Sequence, residues 1–172
     1  SFEVQSSVVF DQRNNLLRFP SSLRERQIVE LVDSWPGSLK THGLAVSTGP
    51  IVAFRATEWL SEVATEGTVP LLWLNHVASF RINWPRKLRK PQYILEGNPS
   101  LLLDQSNYVL LRRFSAKEEQ RRLTAAVLLK ENLPGRYVGL ENHLNYIYKP
   151  GGELSAAECW GLAGLLNSEL LD

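Results

Sequence analysis

The stretch that most constrains the fold is residues 139–148, Gly-Leu-Glu-Asn-His-Leu-Asn-Tyr-Ile-Tyr, with the Gly151-Gly152 break and the Ser155-to-Glu158 spacing of a capping box just after it. The aliphatic and aromatic content of the run suits a β-strand, and the capping box demands a helix soon afterwards. Strand alternation puts Glu141, His143 and Asn145 on one face and Leu140, Asn142, Leu144, Tyr146 and Tyr148 on the other. One face is then a row of donors and acceptors that a packed core does not need. Such a row can read base edges, ligate a metal or perform acid/base chemistry. In the following helix Leu154 can pack on Cys159 as a hydrophobic staple, and Trp160, Ala163, Leu166 and Leu170 recur at helical spacing.

Upstream, short extended segments alternate with breaks. Val8 to Phe10 and Leu16 to Phe19 read as two short strands around the polar turn from Asp11 to Asn15, and Pro20 ends that unit. Ser22 with Glu25 forms another capping box, so a helix over 23–34 is expected, terminated by Trp35-Pro36-Gly37. Residues 43–55 look extended around Ser47-Thr48-Gly49-Pro50, and Thr57 can cap a short helix over 58–65. Residues 69–84 form a long extended candidate bounded by Pro85, with another short strand over 92–95. Residues 107–114 and 123–129 are read as a hairpin around Ser115 to Gln120. These elements predict an α+β fold, with a mixed, largely antiparallel sheet and about three helices, as a single domain over residues 1–172.

Hydrophobic residues at 44% and charged residues at 22% are those of an ordinary folded domain. No apolar run approaches the roughly 18 residues of a membrane helix and no signal-peptide pattern opens the chain, so a cytoplasmic location is expected. Cys159 is the only cysteine, which excludes an internal disulfide and a cysteine-based zinc site. The chain starts at Ser1 and holds no methionine, and it reads as an excised domain. The net charge of +1 carries no overall polyanion signal, yet Arg81, Arg86, Lys87, Arg89 and Lys90 cluster, as do Arg112, Arg113, Arg121 and Arg122. Segregated basic segments can present a positive surface to phosphates, although composition alone favours scattered solvated charge.

No catalytic signature is present: no phosphate-cradling Gly-x-Gly-x-x-Gly or Walker loop, no Gly-x-Ser-x-Gly elbow, no His-Glu-x-x-His helix. A metal site from His76, His143 and Glu141, or an acid/base pair of Glu141 and His143, gives a rival reading as a metal-dependent nuclease or hydrolase. A protein-interaction module is a third. Recognition asks for less, because Asn pairs with adenine, Arg with guanine, and Glu accepts from cytosine. Ser47 and Thr48 beside Gly49 allow close approach to a phosphate, while the same segment taken alone is a turn. The loop from Arg86 to Lys90 suits backbone phosphates or is a soluble surface loop. Trp84 and the tyrosines read as core.

Val46-Ser47-Thr48-Gly49-Pro50-Ile51-Val52-Ala53-Phe54-Arg55, Val69-Pro70-Leu71-Leu72-Trp73-Leu74-Asn75-His76, Asn107-Tyr108-Val109-Leu110-Leu111-Arg112-Arg113-Phe114, and the 139–148 run with its trailing helix together cover most of the chain. In that order they resemble the C-terminal, target-recognising part of bacterial restriction-modification DNA methyltransferases of the adenine-N6 type, the class that includes single-chain methylase-endonucleases. The resemblance implies sequence-specific binding of double-stranded DNA. Its contact set is Ser47, Thr48, Arg55, Asn75, His76, Arg81, Glu141, Asn142, His143 and Asn145, with Arg86, Lys87, Arg89 and Lys90 gripping phosphate. That family carries an Asn-Pro-Pro-aromatic motif and a glycine-bearing S-adenosylmethionine loop, whereas the nearest string here is Asn98-Pro99-Ser100. The methyl-transfer half is therefore expected in a covalently linked domain outside this chain, with residues 1–20 as a hairpin leading to it. No catalytic residue, metal or cofactor is expected within the chain, and S-adenosylmethionine belongs to the absent domain.

Overall fold

Both capping boxes start helices. In the computed structural model, which describes residues 9–11 and 15–171, Ser22 Oγ accepts from the Glu25 amide at the start of α1 (Leu23–Asp33). Ser155 and Glu158 cap each other reciprocally at the start of α2 (Ala156–Leu166). These are the two α-helices among the described residues, one fewer than expected. The missing helix is the one over 58–65, where a 3-10 turn (Thr57–Trp59) runs straight into a strand. A helix of two turns is marginal alone, and pairing Leu60 with Ile94 and Ser61 with Tyr93 at a sheet edge wins instead.

The chain divides into two compact units, Ser1–His42 and Gly43–Asp172. In the first, β1 (Phe10–Asp11) pairs antiparallel with β2 (Leu16–Leu17) ahead of α1. Val8 and most of the expected turn lie outside the described residues.

The second unit carries β3 (Ala45–Thr48), β4 (Leu60–Ser61), β5 (Thr68–Leu72), β6 (Val77–Ala78), β7 (Arg81–Ile82), β8 (Tyr93–Leu95), β9 (Leu102–Asp104), β10 (Tyr108–Arg112), β11 (Ala125–Leu128), β12 (Tyr137–Leu140) and β13 (Leu144–Tyr148). One sheet is antiparallel throughout, in the order β11-β10-β13-β3, and includes the expected β10–β11 hairpin. The other runs β4-β8-β5-β12-β9 and is antiparallel except where β5 meets β12. The fold is thus α+β with mostly antiparallel sheets. Leu72, Leu110, Leu128, Val138, Leu140 and Leu144 share one apolar cluster drawn from both sheets. Ile51, Val69, Leu71, Trp73 and Ile94 form another, and Trp84 packs against the first.

Two long extended segments of the sequence reading break up. Residues 69–84 are β5, a 3-10 turn (Leu74–His76) and the small β6–β7 hairpin. Residues 139–148 are not one strand: β12 belongs to one sheet and β13 to the other, with a tight turn between them where the Leu144 amide donates to the Glu141 carbonyl at 2.9 Å. The common face expected for Glu141, His143 and Asn145 does not exist, because alternation stops where the chain changes sheets.

Candidate nucleic-acid interface

The 141–145 turn is built around a buried carboxylate. Glu141 is 2% exposed, and its Oε2 accepts from the His143 amide at 3.1 Å while its Oε1 faces His143 Nδ1 at 2.6 Å. A buried carboxylate without partners is strongly unfavourable, so these contacts fix the turn and draw the His143 ring against it. The imidazole itself stays half exposed at 49%. Phe114 meets the ring edge-on at 5.3 Å between centroids, and the Arg113 guanidinium lies 5.4 Å from the Phe114 centroid. Arg113 also ties the turn through its amide to the His143 carbonyl, 2.9 Å, and through Nη1 to the Asn142 carbonyl, 3.3 Å.

β3 reaches the same turn. Asn145 sits opposite Thr48, whose hydroxyl donates to Asn145 Oδ1 at 3.0 Å, and Ser47 is partnered with Tyr146. Gly49 lets the next segment approach: its amide donates to the Leu144 carbonyl at 2.8 Å, and a Cβ there would stand 2.5 Å from the Glu141 carbonyl oxygen. Thr48, Glu141, Asn142, His143 and Asn145 are therefore brought together, with Ser47 adjoining. The four of these side chains that remain reachable, Thr48, Asn142, His143 and Asn145, offer hydroxyl, amide and imidazole groups beside an exposed aromatic ring.

A separate group gathers around His76, which is fully buried. Its Nδ1 accepts from the Trp73 amide at 2.9 Å, so Nε2 carries the proton and donates to Gln92 Oε1 at 3.1 Å. Burial first, and the nearby Arg86 guanidinium, push its pKa down to about 4 against the pull of Gln92. Both ring nitrogens are spent inside the protein, so His76 organises the Arg86 loop instead of facing a ligand. Gln92 finishes the job, accepting from the Arg86 amide at 2.9 Å and donating to the Arg86 carbonyl at 2.7 Å. Arg86 Nη1 reaches the Asn75 carbonyl at 2.6 Å and Lys90 Nζ lies 4.4 Å from the Trp73 ring centroid, while Lys87 and Arg89 are exposed. Arg81 is exposed on β7, and Arg55 is exposed on a 3-10 turn (Ala53–Arg55) beside Phe54. His76 does not join Glu141 and His143, and among the described residues no three His, Cys, Asp or Glu side chains gather as a metal site would need.

Along its sequence the chain is 35% identical to the type II methyltransferase M.BsuBI of Bacillus subtilis over 165 residues, which is 94% of the chain and 33% of that protein. The chain is similar to type II methyltransferases. A second such relative, M.PstI of Providencia stuartii, is 33% identical over 176 residues, 99% of the chain and 35% of the relative. The chain thus spans about a third of the length of these curated relatives. No family model and no solved structure matches it. Among the described residues no helix is long and apolar enough to cross a membrane.

Sequence reasoning missed Arg113, Phe114 and Gln92. Arg112-Arg113-Phe114 ends an apolar strand, and alternation alone sends Arg112 and Arg113 to opposite sides, which was a usable signal. For Gln92 there was none, since its role depends on a histidine buried by tertiary packing.

Proposed function

We propose that this chain is the target-recognising part of an adenine-specific DNA methyltransferase of a restriction-modification system, binding double-stranded DNA in sequence-specific fashion. The observation that carries this reading is the 141–145 turn, in which the buried Glu141 carboxylate holds His143, Thr48 bonds Asn145, and Arg113 bonds the Asn142 carbonyl with the exposed Phe114 alongside. Asn side chains pair with adenine edges, and short hydroxyls suit phosphate or bases. Lys87 and Arg89 would grip the backbone. Glu141 and His76 support this surface from within.

Methyl transfer is assigned to a covalently linked domain, which would hold S-adenosylmethionine; this chain carries Asn98-Pro99-Ser100 where an Asn-Pro-Pro-aromatic motif would be needed. An adenine inside a duplex must be extruded to react, and this chain would hold the duplex meanwhile, in the cytoplasm.

The test is site choice in the full-length methyltransferase. Asn145→Ala removes a presented amide without stranding a buried charge, and His143→Gln keeps a polar side chain beside Glu141. Each should relax or abolish site choice, by about 1–3 kcal/mol per lost base contact. An unchanged genome-wide pattern of N6-methyladenine in both variants would remove this turn from the interface.

A further inference from the structure

An open groove of about 560 Å³ lies in the Gly43–Asp172 unit, lined by Asn75, Ser79 and Arg86 on one side and by Arg112, Glu119 and Arg121 on the other, with Gln120 and Thr124 completing it. It joins the two basic segments of the sequence, of which only the first was read as phosphate-binding. Its arginines differ in how they are held. Arg112 donates to Glu119 Oε1 at 2.9 Å. Arg86 is anchored on the Asn75 carbonyl and Arg121 on the Asn167 carbonyl, both neutral acceptors, and neither meets a carboxylate among the described residues. Three arginines against one glutamate leave the groove with a net charge of two. A guanidinium has five N–H donors, so one carbonyl bond orients the fork and leaves most of it available.

We infer that this groove is a second DNA contact, in which Arg86 and Arg121 clamp backbone phosphates of the duplex. The inference rests on the DNA-recognition reading above. Guanidinium forks match pairs of phosphate oxygens, and the uncharged polar lining groups, two amides and two hydroxyls beside the apolar Leu74, Val77 and Ala78, are the neutral side chains that most often accompany such contacts. Glu119 holds the third arginine in reserve: it offsets the Arg112 charge and lowers the attraction of the groove for an anion.

Duplex binding by this chain, followed by fluorescence anisotropy on a labelled DNA over a range of salt, tests it. The double change Arg86→Gln with Arg121→Gln should weaken binding at least tenfold and flatten the log–log salt slope by about 1.8, at 0.9 per phosphate lost. Arg86→Lys with Arg121→Lys, which keeps both charges, should restore most of the slope. Glu119→Gln should tighten binding several-fold, a gain that misfolding cannot imitate. Lys87→Gln with Arg89→Gln acts outside the groove and probes DNA binding as such. If that pair weakens binding while the groove variants and Glu119→Gln leave it unchanged, the groove assignment is wrong and the recognition reading stands. Absence of any duplex binding by the parent chain at low salt overturns both. Equal competition by a nucleoside monophosphate and by unlabelled duplex at matched phosphate concentration marks the groove as a mononucleotide site and overturns the duplex assignment.

Discussion

Replacing Gly49 with Ala should be far more damaging than the loss of one hydrogen atom suggests. A Cβ at this position would lie 2.5 Å from the Glu141 carbonyl oxygen and 2.6 Å from that of Leu140, and both are backbone atoms. Ordinary contact begins at 3.4 Å, so the closest approach falls 0.9 Å short. The two backbone segments must part by about that distance. The Gly49 amide bond to the Leu144 carbonyl, now 2.8 Å, would stretch to about 3.7 Å, and the Ile51 bond to the Leu140 carbonyl, now 3.1 Å, to about 4.0 Å. Two lost bonds at about 0.5–1.5 kcal/mol each, plus overpacking at about 1–3 kcal/mol, give a cost of about 2–6 kcal/mol. With a urea slope of roughly 2 kcal/mol per molar, the unfolding midpoint should fall by about 1–3 M. Gly164→Ala is the control, because nothing lies within 4 Å of a Cβ there and the residue sits exposed inside α2. Helix propensity alone should make that variant more stable by about 0.5–1 kcal/mol. A Gly49→Ala variant within 0.5 kcal/mol of the parent, or equal losses in both variants, would mean that the backbone at Gly49 yields to a Cβ without breaking these bonds.

His76, with a pKa near 4 in the fold against 6.5 ordinarily, takes up its proton only in the unfolded chain between those values, so stability is complete above pH 6.5 and declines on acidification. Between pH 6.5 and 5 the loss should be about 2 kcal/mol, read as the difference in urea midpoints between the parent and His76→Gln, whose curve should be flatter. Asn167, 5% exposed, accepts from the Ala125 amide at 3.1 Å and donates to the Ala125 and Ala163 carbonyls at 2.9 and 2.7 Å, joining the end of α2 to β11. Asn167→Ala should cost about 2–4 kcal/mol in chemical denaturation, and a smaller loss than 1 kcal/mol would mean that α2 is docked by its apolar face alone. The Cys159 thiol is fully buried and burial pushes it up to about 11, so alkylation by iodoacetamide at pH 8 should be negligible until urea unfolds the chain.

Local chemistry was legible and changes of sheet were not. Both helices could be placed because their Ser-x-x-Glu boxes act within four residues, and the β10–β11 hairpin because its apolar halves flank a polar turn. The 58–65 helix failed where a short segment with marginal propensity had a strand partner, Tyr93–Leu95, more than thirty residues away. The 139–148 run failed for a subtler reason. No glycine or proline marks its turn; the turn is set by the Glu141 side chain bonding the His143 amide, and that bond matters only because packing has already buried the carboxylate. A strand and a strand–turn–strand are indistinguishable in sequence when the punctuation is supplied by tertiary structure.

The same limit explains why the polar residues of the reading divide into two kinds. Glu141 and His76 have the side chains of a recognition surface, yet every hydrogen-bonding atom the structure assigns them is spent within the protein, on His143 in one case and on Trp73 and Gln92 in the other. Glu141 fixes His143 directly and His76 holds Gln92, which fixes the Arg86 loop, while Thr48 bonds Asn145 and Arg113 bonds the Asn142 carbonyl within the same framework. Replacing a supporting residue and replacing a presented one should therefore both alter DNA binding, but by separable routes. Loss of Glu141 should lower the unfolding midpoint together with affinity, since a fixed turn becomes a mobile one, whereas loss of Asn145 should change site choice at nearly constant stability. Parallel denaturation and binding curves for Glu141→Gln and Asn145→Ala distinguish the two roles, and identical behaviour of the pair would erase the distinction between a framework and the surface it carries.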